Sequence, residues 1–264
     1  MSWLLLLLSS QSEALGQAHV PQTGPRTLPR DFLRDEWKIW KSPFRKSSYD
    51  SKTVQKYVIP FALVTAGLIA TDSRTGEALP NTRDQTRWSG RVSQLGATYT
   101  TLGFSGATYL LGKATGNDHL AETGWLAVEA VAHTQVVVFA IKQIGNRRRP
   151  ADGGGGGFWN GGNSFISGHA ATSFSVAAVF AYEYRDHIAV PIVAYSLATA
   201  VSASRVSAQR HWLSDIVAGG TTGFILGRFV YKRHHDNRLA GSPVGRALPH
   251  IDFAGRRVAL AWTF

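Results

Sequence analysis

The 264-residue chain contains no cysteine. It therefore forms no disulfide, holds no metal through thiolates and has no thiol nucleophile. Charged residues are also scarce, at 17% of the sequence, whereas an average soluble domain has about a quarter. Hydrophobic residues make up 44%. This composition favours a chain with much buried or lipid-facing surface.

Acidic residues are few relative to basic ones, 17 against 28, which gives a formal net charge of +11. A strongly basic balance favours anionic partners, namely phosphate esters, anionic lipid head groups or nucleic acid. A non-enzymatic anion-binding or nucleic-acid-binding module is one alternative, and it would scatter Lys and Arg among aromatic residues. The pairing of His211 with Asp215 described below has no purpose in such a module, so we expect no nucleic-acid partner.

Uncharged stretches long enough to cross a membrane are nearly absent. A spanning helix needs about 20 apolar residues, and among the helical candidates given below only 92–112 reaches that length without a charge, although it is rich in Thr, Ser and Gly. Glu129 and His133 interrupt a later candidate. An even number of spans would place the basic segments 38–56 and 232–238 on one side, as the positive-inside tendency expects. The sequence leaves open an integral, a peripheral and a soluble periplasmic protein.

The first 55 residues are predicted to lie outside the folded domain. Residues 1–18 contain the apolar run Leu4–Leu8 followed by small residues, which is typical of a signal segment, although no basic residue precedes the run. Residues 19–55 are rich in Pro, Ser and charge. We interpret them as a disordered leader with one short amphipathic piece around Trp37 and Trp40.

A helical domain is predicted over 56–235, followed by a tail over 236–264. The domain contains six apolar runs too long for strands, separated by Gly, Pro, Asn and Asp. The six helical candidates are 56–71, 92–112, 120–143, 169–184, 188–204 and 212–231. In the tail, Val258, Leu260, Trp262 and Phe264 alternate with smaller residues, which predicts a small β-hairpin.

Basic residues crowd the end of the third helical candidate. Arg149 follows Lys142 by seven residues, with Arg147 and Arg148 beside it. Arg holds phosphate oxygens as a planar fork and Lys as a point charge, and the alternative is a solvated basic helix end. The glycine run 153–157 lacks the Gly-Lys-Ser ending of a phosphate loop, so we interpret it as a flexible linker.

The segment Ser167-Gly168-His169 precedes the fourth candidate helix. Ser167 as N-cap would leave the free N–H groups of the first turn facing an anion. Gly168 permits close approach of the backbone, and His169 stands where a proton can pass to a leaving alcohol. The alternative is an ordinary capped helix with a surface histidine.

A third cluster, Ser204-Arg205 with His211 and Asp215, joins the last two candidate helices. Residues four apart share one helical face, so His211 and Asp215 are predicted to pair. A carboxylate on one ring nitrogen fixes the tautomer and leaves the other nitrogen free for attack. Arg205 would neutralise phosphoryl oxygens. The alternative is a surface pair of little energetic value.

Together the three clusters resemble the signature of the type 2 phosphatidic acid phosphatase and vanadium haloperoxidase superfamily. That signature is Lys, six residues, Arg-Pro; then Pro-Ser-Gly-His; then Ser-Arg, five residues, His, three residues, Asp. The first motif reads KQIGNRRRP at 142–150 and the third SRVSAQRHWLSD at 204–215, both complete. The second reads ISGH at 166–169, with Ile166 in place of the proline, which makes the turn less rigid. The resemblance covers 90–231.

This resemblance implies a fold and a site. The fold is an all-α six-helix bundle of the acid phosphatase and haloperoxidase type, with the catalytic loops at one end. His211 is implied as the nucleophile that forms a phosphohistidine, Asp215 orients it, and His169 protonates the leaving group and later activates water. No cofactor and no metal are expected, because fixed cations stabilise the transition-state charge. The implied phosphate ligands are Lys142, Arg149, Arg205, Ser167 and the N–H of Gly168.

The implied function is metal-independent hydrolysis of phosphomonoesters or diphosphates. A lipid phosphate of the phosphatidic acid or prenyl diphosphate type is the expected substrate, at a membrane surface of a bacterial-type cell envelope with the site on the periplasmic side. Two alternatives use the same residues: a periplasmic non-specific acid phosphatase acting on small phosphoesters, and a haloperoxidase holding vanadate. The exact substrate and the oligomeric state stay open.

Overall fold

The computed structural model describes residues 28–42, 54–80, 82–153, 155–241, 250–254 and 257–261. The candidate signal segment 1–18 and much of the leader lie outside these residues. The chain from Gly24 to Lys232 forms one compact unit, and the chain from Arg233 onward belongs to a second one. The helical bundle and the candidate site lie in the first unit.

The described residues form eight α-helices and two strands. The helices are α1 Leu28–Lys41, α2 Ile59–Ala78, α3 Arg83–Ser93, α4 Thr98–Thr115, α5 Asp118–Gly145, α6 Gly168–Glu183, α7 Ala189–Ser207 and α8 Leu213–Gly241. A π-helical turn at Val54–Val58 leads into α2, and 3-10 turns occupy Gln94–Gly96 and Pro150–Asp152. In the tail, β1 His250–Ala254 and β2 Arg257–Ala261 pair antiparallel, with His250 opposite Ala261.

The helical class predicted from the sequence is confirmed, whereas the count of six helices is wrong for the described residues. The short amphipathic piece expected in the leader around Trp37 and Trp40 lies within α1, which docks on α5. Glu36 Oε1 lies 2.6 Å from His133 Nδ1, and the Phe32 ring stacks on the same imidazole. The additional helix α3 contains too few apolar residues to form an apolar run, so it was not among the candidates.

The core of the bundle forms where α5, α6 and α8 meet. Buried side chains of α5 and α6 pack there with Val230 of α8, and each buried Val or Leu stabilises the fold by about 1.5–3 kcal/mol. The cluster consists of Leu126, Ala127, Ala130, Val131, Val176, Val179 and Val230.

A glycine stripe lets α8 approach α6 closely. Gly219, Gly223 and Gly227 recur at every fourth position of α8 and face α6. A Cβ on Gly223 would lie only 1.9 Å from the carbonyl oxygen of Ala171, and one on Gly219 would lie 2.5 Å from that of Ser167. Because the two helices touch backbone to backbone, their N-terminal ends are held side by side.

Three helical stretches are long and apolar enough to cross a membrane: Val54–Ala78, Asp118–Asp152 and Ala189–Ser207. The uncharged run 92–112 is not among them, because its Thr, Ser and Gly residues lower its hydropathy. Large apolar side chains on these and neighbouring helices are exposed, for example Leu63. Length, composition and exposed apolar surface together indicate membrane association.

Candidate active site

The three sequence clusters meet at one end of the bundle. Lys142 lies in the last turn of α5 and His169 in the first turn of α6. Arg205 lies in the last turn of α7 and Asp215 in the first turn of α8. Each pair of helices is joined by a loop at this end, so residues that are far apart in sequence become neighbours.

A cavity of about 510 Å³ opens at this end, and its cationic wall is formed by Arg149, Arg205 and Arg210, with His169 beside them. No carboxylate lines it. The Nε atoms of Arg149 and Arg205 are buried without a hydrogen-bond partner among the described residues. Arg205 Nη1 donates to Ser93 Oγ at 3.1 Å, which fixes the guanidinium against α3. Unpaired buried cationic donors are costly, so this wall is suited to an anion.

His169 stands on the wall of this cavity beside the cations. Burial, together with the positive charges of Arg205, His211, Lys142 and Arg149, lowers the pKa of its imidazole to about 3. The ring is therefore neutral at pH 7 in the unliganded site. A bound phosphate raises this pKa, because negative charge nearby favours the imidazolium form.

His211 is almost fully buried behind the cavity. Its Nδ1 lies 3.5 Å from Asp215 Oδ2 and 3.4 Å from Ser164 Oγ. Burial lowers the pKa of His211 to about 4, even though Asp215 opposes the shift. The two side chains lie side by side, but not on one helical face, since His211 precedes α8, which begins at Leu213.

Asp215 is fixed by the start of α8 itself. Its Oδ2 accepts the N–H of Trp212 at 2.9 Å and the hydroxyl of Ser164 at 2.5 Å, and the former is the reaching-back contact of a capping box. Its carbonyl oxygen accepts the N–H of Ser167 at 3.0 Å, which joins α8 to the α6 turn. Burial raises the pKa of Asp215, but His211 and Arg147 outweigh it and hold the pKa below its usual value.

Arg147, to which the sequence assigned no role, lies fully buried beneath the pair. Its Nη1 donates to Asp215 Oδ1 at 2.7 Å, and its Nη2 donates to Asp72 Oδ2 at 2.8 Å. Its Nε donates to the carbonyl oxygen of Gly156 at 2.8 Å. The glycine run predicted as a flexible linker is thus tied to the site at Gly156. Arg147 is a structural cation between two carboxylates and does not face the cavity.

Asp72 reaches this network from the middle of the chain's first long apolar helix, α2. It is buried, and its Oδ1 accepts the N–H of Ser214 at 3.2 Å, so it caps α8 from outside. The hydroxyl of Ser214 donates to Asp72 Oδ2. No local pattern predicts such a distant contact. A carboxylate that follows a long apolar run requires a partner if it is buried, and that signal was available in the sequence.

The remaining predicted residues surround the turn before α6. Ser167 is the N-cap of α6, as predicted, and its Oγ accepts the N–H of Ala170 at 3.4 Å. Lys142 Nζ donates to the carbonyl oxygen of Asn163. Ile166, which replaces the proline of the motif, is buried in an apolar cluster with Val138, Ala171 and Ala218. The turn is therefore held by apolar packing.

The segment that carries the three motifs also matches a known protein family. Residues 123–239, which include all three motifs, match the family model described as the PAP2 superfamily. These residues belong to the PAP2 superfamily. The resemblance inferred from the motifs is therefore confirmed.

Known PAP2-related proteins match parts of the chain. A lipid A 1-phosphatase of Porphyromonas gingivalis is 36% identical over 70 residues, which are 26% of this chain and 16% of that protein. The crystal structure of LpxE from Aquifex aeolicus aligns with a TM-score of 0.45 and 18% identity over 58% of this chain and 88% of the other. The crystal structure of a transmembrane PAP2-type phosphatidylglycerolphosphate phosphatase from Bacillus subtilis aligns with a TM-score of 0.49 and 17% identity. This alignment covers 80% of this chain and 97% of the other.

Proposed function

We propose that the protein is a metal-independent phosphohydrolase that acts on a lipid phosphate through a phosphohistidine. The observation that carries this proposal is the cationic cavity, where two buried Nε–H groups lack partners and a neutral histidine stands beside them. Behind it, His211 is buried against a fixed carboxylate. These are the parts needed to hold a phosphoryl group, attack it and transfer a proton.

The phosphoryl group is held by fixed charges. Lys142, Arg149 and Arg205 offset its negative charge, and the N–H of Gly168 with the hydroxyl of Ser167 adds donors at the start of α6. Because these donors are positioned before the substrate arrives, they stabilise charge that develops in the transition state without reorganising.

Two displacements complete the reaction. In the first, His211 Nε2 forms a bond to phosphorus while the ester P–O bond breaks, and His169 delivers a proton to the departing oxygen. In the second, His169 takes a proton from water, the water oxygen bonds to phosphorus, and the P–N bond breaks. Since His169 is neutral in the unliganded site, its proton arrives with a substrate monoanion. Asp215 holds the His211 tautomer throughout.

Arg147 and Asp72 act as positioning residues. Asp215 keeps its orientation because Arg147 binds the carboxylate oxygen that faces away from Trp212. Asp72 in turn balances the charge of Arg147 and caps the helix that carries Asp215. The substrate touches neither residue in this proposal.

An apolar cavity beside the cationic one supports a lipid substrate. It has a volume of about 490 Å³ and lies between α4, α6 and α7, with Phe104, Val176 and Leu197 in its wall. Gly96 lies between the two walls, because a Cβ there would lie 2.3 Å from Val201 Cγ1 of the apolar cavity and 3.2 Å from the carbonyl oxygen of His169 in the cationic one. An acyl or prenyl chain would fill the apolar cavity while the phosphate lies among the cations. The name of the Porphyromonas relative, a lipid A 1-phosphatase, agrees with this substrate class.

A phosphate-release panel tests the proposal. Purified protein is assayed with phosphatidic acid, a prenyl phosphate and an aryl phosphate, with and without detergent and EDTA. We expect release from the lipids that EDTA does not reduce, and none from the His211→Ala variant. Release from the aryl phosphate alone would favour the non-specific acid phosphatase, and no release from any substrate would refute the proposal. Reconstituted vesicles with substrate in one leaflet test the periplasmic placement of the site.

A further inference from the structure

The phosphate cavity contains one more arginine than the motifs account for. Arg210 is one of the five spacer residues between Arg205 and His211, so the signature assigns it no role. It nevertheless lines the same cavity as Arg149 and Arg205. Its backbone N–H donates to the carbonyl oxygen of Arg205 at 3.0 Å, which fixes it just beyond the last turn of α7.

Arg210 also differs from Arg147 and Arg148, because its exposed side chain has no acceptor among the described residues. Arg147 is paired with two carboxylates, and Arg148 donates from Nε to the carbonyl oxygen of Asn160 at 2.7 Å. No carboxylate in the described part of the chain pairs with Arg210, although it lies close enough to Arg149 and Arg205 to repel them. Three clustered guanidinium groups repel one another, so an anion between them relieves the repulsion.

Charge and space both exceed the needs of one phosphoryl group. A phosphate monoester carries about −1.5 to −2 at pH 7, and Lys142, Arg149 and Arg205 already offset that charge. The cavity of about 510 Å³ is much larger than one phosphate, which displaces roughly two or three waters of about 30 Å³ each. A second anionic group bonded to the first would use both the additional cation and the additional volume.

We propose that Arg210 forms a second anion subsite and that the preferred substrate is a lipid diphosphate. This inference rests on the proposed function of the site. The terminal phosphoryl group is transferred to His211 Nε2, the bond from its phosphorus to the bridging oxygen breaks, and that oxygen leaves with the inner phosphate as a lipid monophosphate. Arg210 binds the inner phosphate and stabilises the charge that it gains. This leaving group needs less help from a proton on His169 than an alkoxide does.

Paired substrates test the subsite. Farnesyl diphosphate and farnesyl monophosphate are compared in wild-type protein, Arg210→Gln and the control Arg148→Gln, which removes an equal charge outside the cavity wall. We expect Arg210→Gln to lower kcat/KM for the diphosphate by about tenfold or more and for the monophosphate by less than about threefold. Arg148→Gln should change neither by more than about threefold. Equal losses on both substrates, or no loss on either, would overturn the subsite.

A binding measurement separates the subsite from the proposed activity. Inorganic pyrophosphate and phosphate are titrated calorimetrically into wild-type protein and Arg210→Gln. Wild-type protein should bind pyrophosphate more tightly, by about tenfold, and the variant should lose that preference. If neither farnesyl substrate is hydrolysed but the preference exists and depends on Arg210, the proposed activity fails and the subsite stands. An equal affinity for the two anions in wild-type protein contradicts the subsite.

Discussion

Arg147 binds Asp215 and Asp72 at once, with its Nη1 2.7 Å from Asp215 Oδ1 and its Nη2 2.8 Å from Asp72 Oδ2. All three side chains are buried, so water does not screen the charges of the guanidinium and the two carboxylates. Removing one partner leaves an uncompensated buried charge, which costs far more than the intact pair contributes. The orientation of the Asp215 carboxylate therefore depends, through Arg147, on Asp72 of α2, which no motif includes.

Arg147→Gln should both destabilise the protein and alter its pH profile. We expect a loss of about 3–5 kcal/mol in the free energy of unfolding, because two buried carboxylates lose their cation. Loss of the positive charge should also raise the pKa of His211, so the acid limb of the kcat/KM profile moves to higher pH. Thermal melting and a pH series check the two effects. Arg148→Gln is the control, and an unmoved acid limb would mean that Arg147 is only structural.

Separate variants of the two histidines and the aspartate should block different steps. His211→Ala should form no phosphoenzyme. With an aryl phosphate, whose phenolate departs without a proton from His169, His169→Asn should accumulate the phosphoenzyme, because water is no longer activated after transfer. Asp215→Asn should lower kcat by roughly 10²–10⁴-fold, since it leaves the imidazole without its orienting anion. Acid-labile, alkali-stable phosphate bound to the protein after rapid quenching is the measurement. Phosphoenzyme in His211→Ala would contradict the assignment of the nucleophile.

Parts of the site that depend on residues close together in sequence were predictable, whereas contacts between residues far apart in sequence were not. Ser167 and the pairing of His211 with Asp215 were predictable, because an N-cap and a motif are local patterns in the chain. The contact of Asp72 with Ser214 was not, because it joins residues 142 positions apart without any periodic pattern. Helix α3 was missed because it is polar, and it docks through hydroxyl and amide contacts such as Ser89 to Ser207 at 2.8 Å.

Acid should destabilise the folded protein through His211. Its pKa is about 4 in the folded protein, whereas an ordinary histidine has a pKa of about 6.5, so the unfolded state takes up the proton first as the pH falls. Stability should therefore decrease between about pH 6.5 and pH 4, by about 1.4 kcal/mol per pH unit and about 3 kcal/mol in all. Asp215, whose pKa is lowered by folding, adds a further loss only below about pH 4. Melting curves of wild-type protein and His211→Gln check this, and equal slopes for both would contradict it.

Blocking the apolar cavity should separate long-chain from short substrates. Ala194 lies in its wall on α7 and is partly exposed, so Ala194→Trp can fill the cavity without disturbing the core. We expect KM for a long-chain lipid phosphate to rise about tenfold or more, while the hydrolysis of an aryl phosphate stays within about twofold of wild type. Assays on both substrates in one detergent give the comparison. An equal loss of activity on both substrates would mean that the hydrocarbon chain of the lipid does not bind in this cavity.

The glycine stripe of α8 sets the distance between the N-terminal ends of α6 and α8, which meet at the candidate site. Gly223→Ala places a Cβ against the carbonyl oxygen of Ala171, where only 1.9 Å is available, so the helices must separate. We expect a loss of about 1–3 kcal/mol in stability and a lower kcat, because the contact between Ser167 N and Asp215 O depends on that distance.

Gly103→Ala in α4 is the matched control, since no atom lies within 4 Å of its added Cβ. Alanine is the better helix former by about 1 kcal/mol, so the control should be neutral or slightly stabilised. Equal melting temperatures and equal kcat in the two variants would show that the close approach of α8 does not set the geometry of the site.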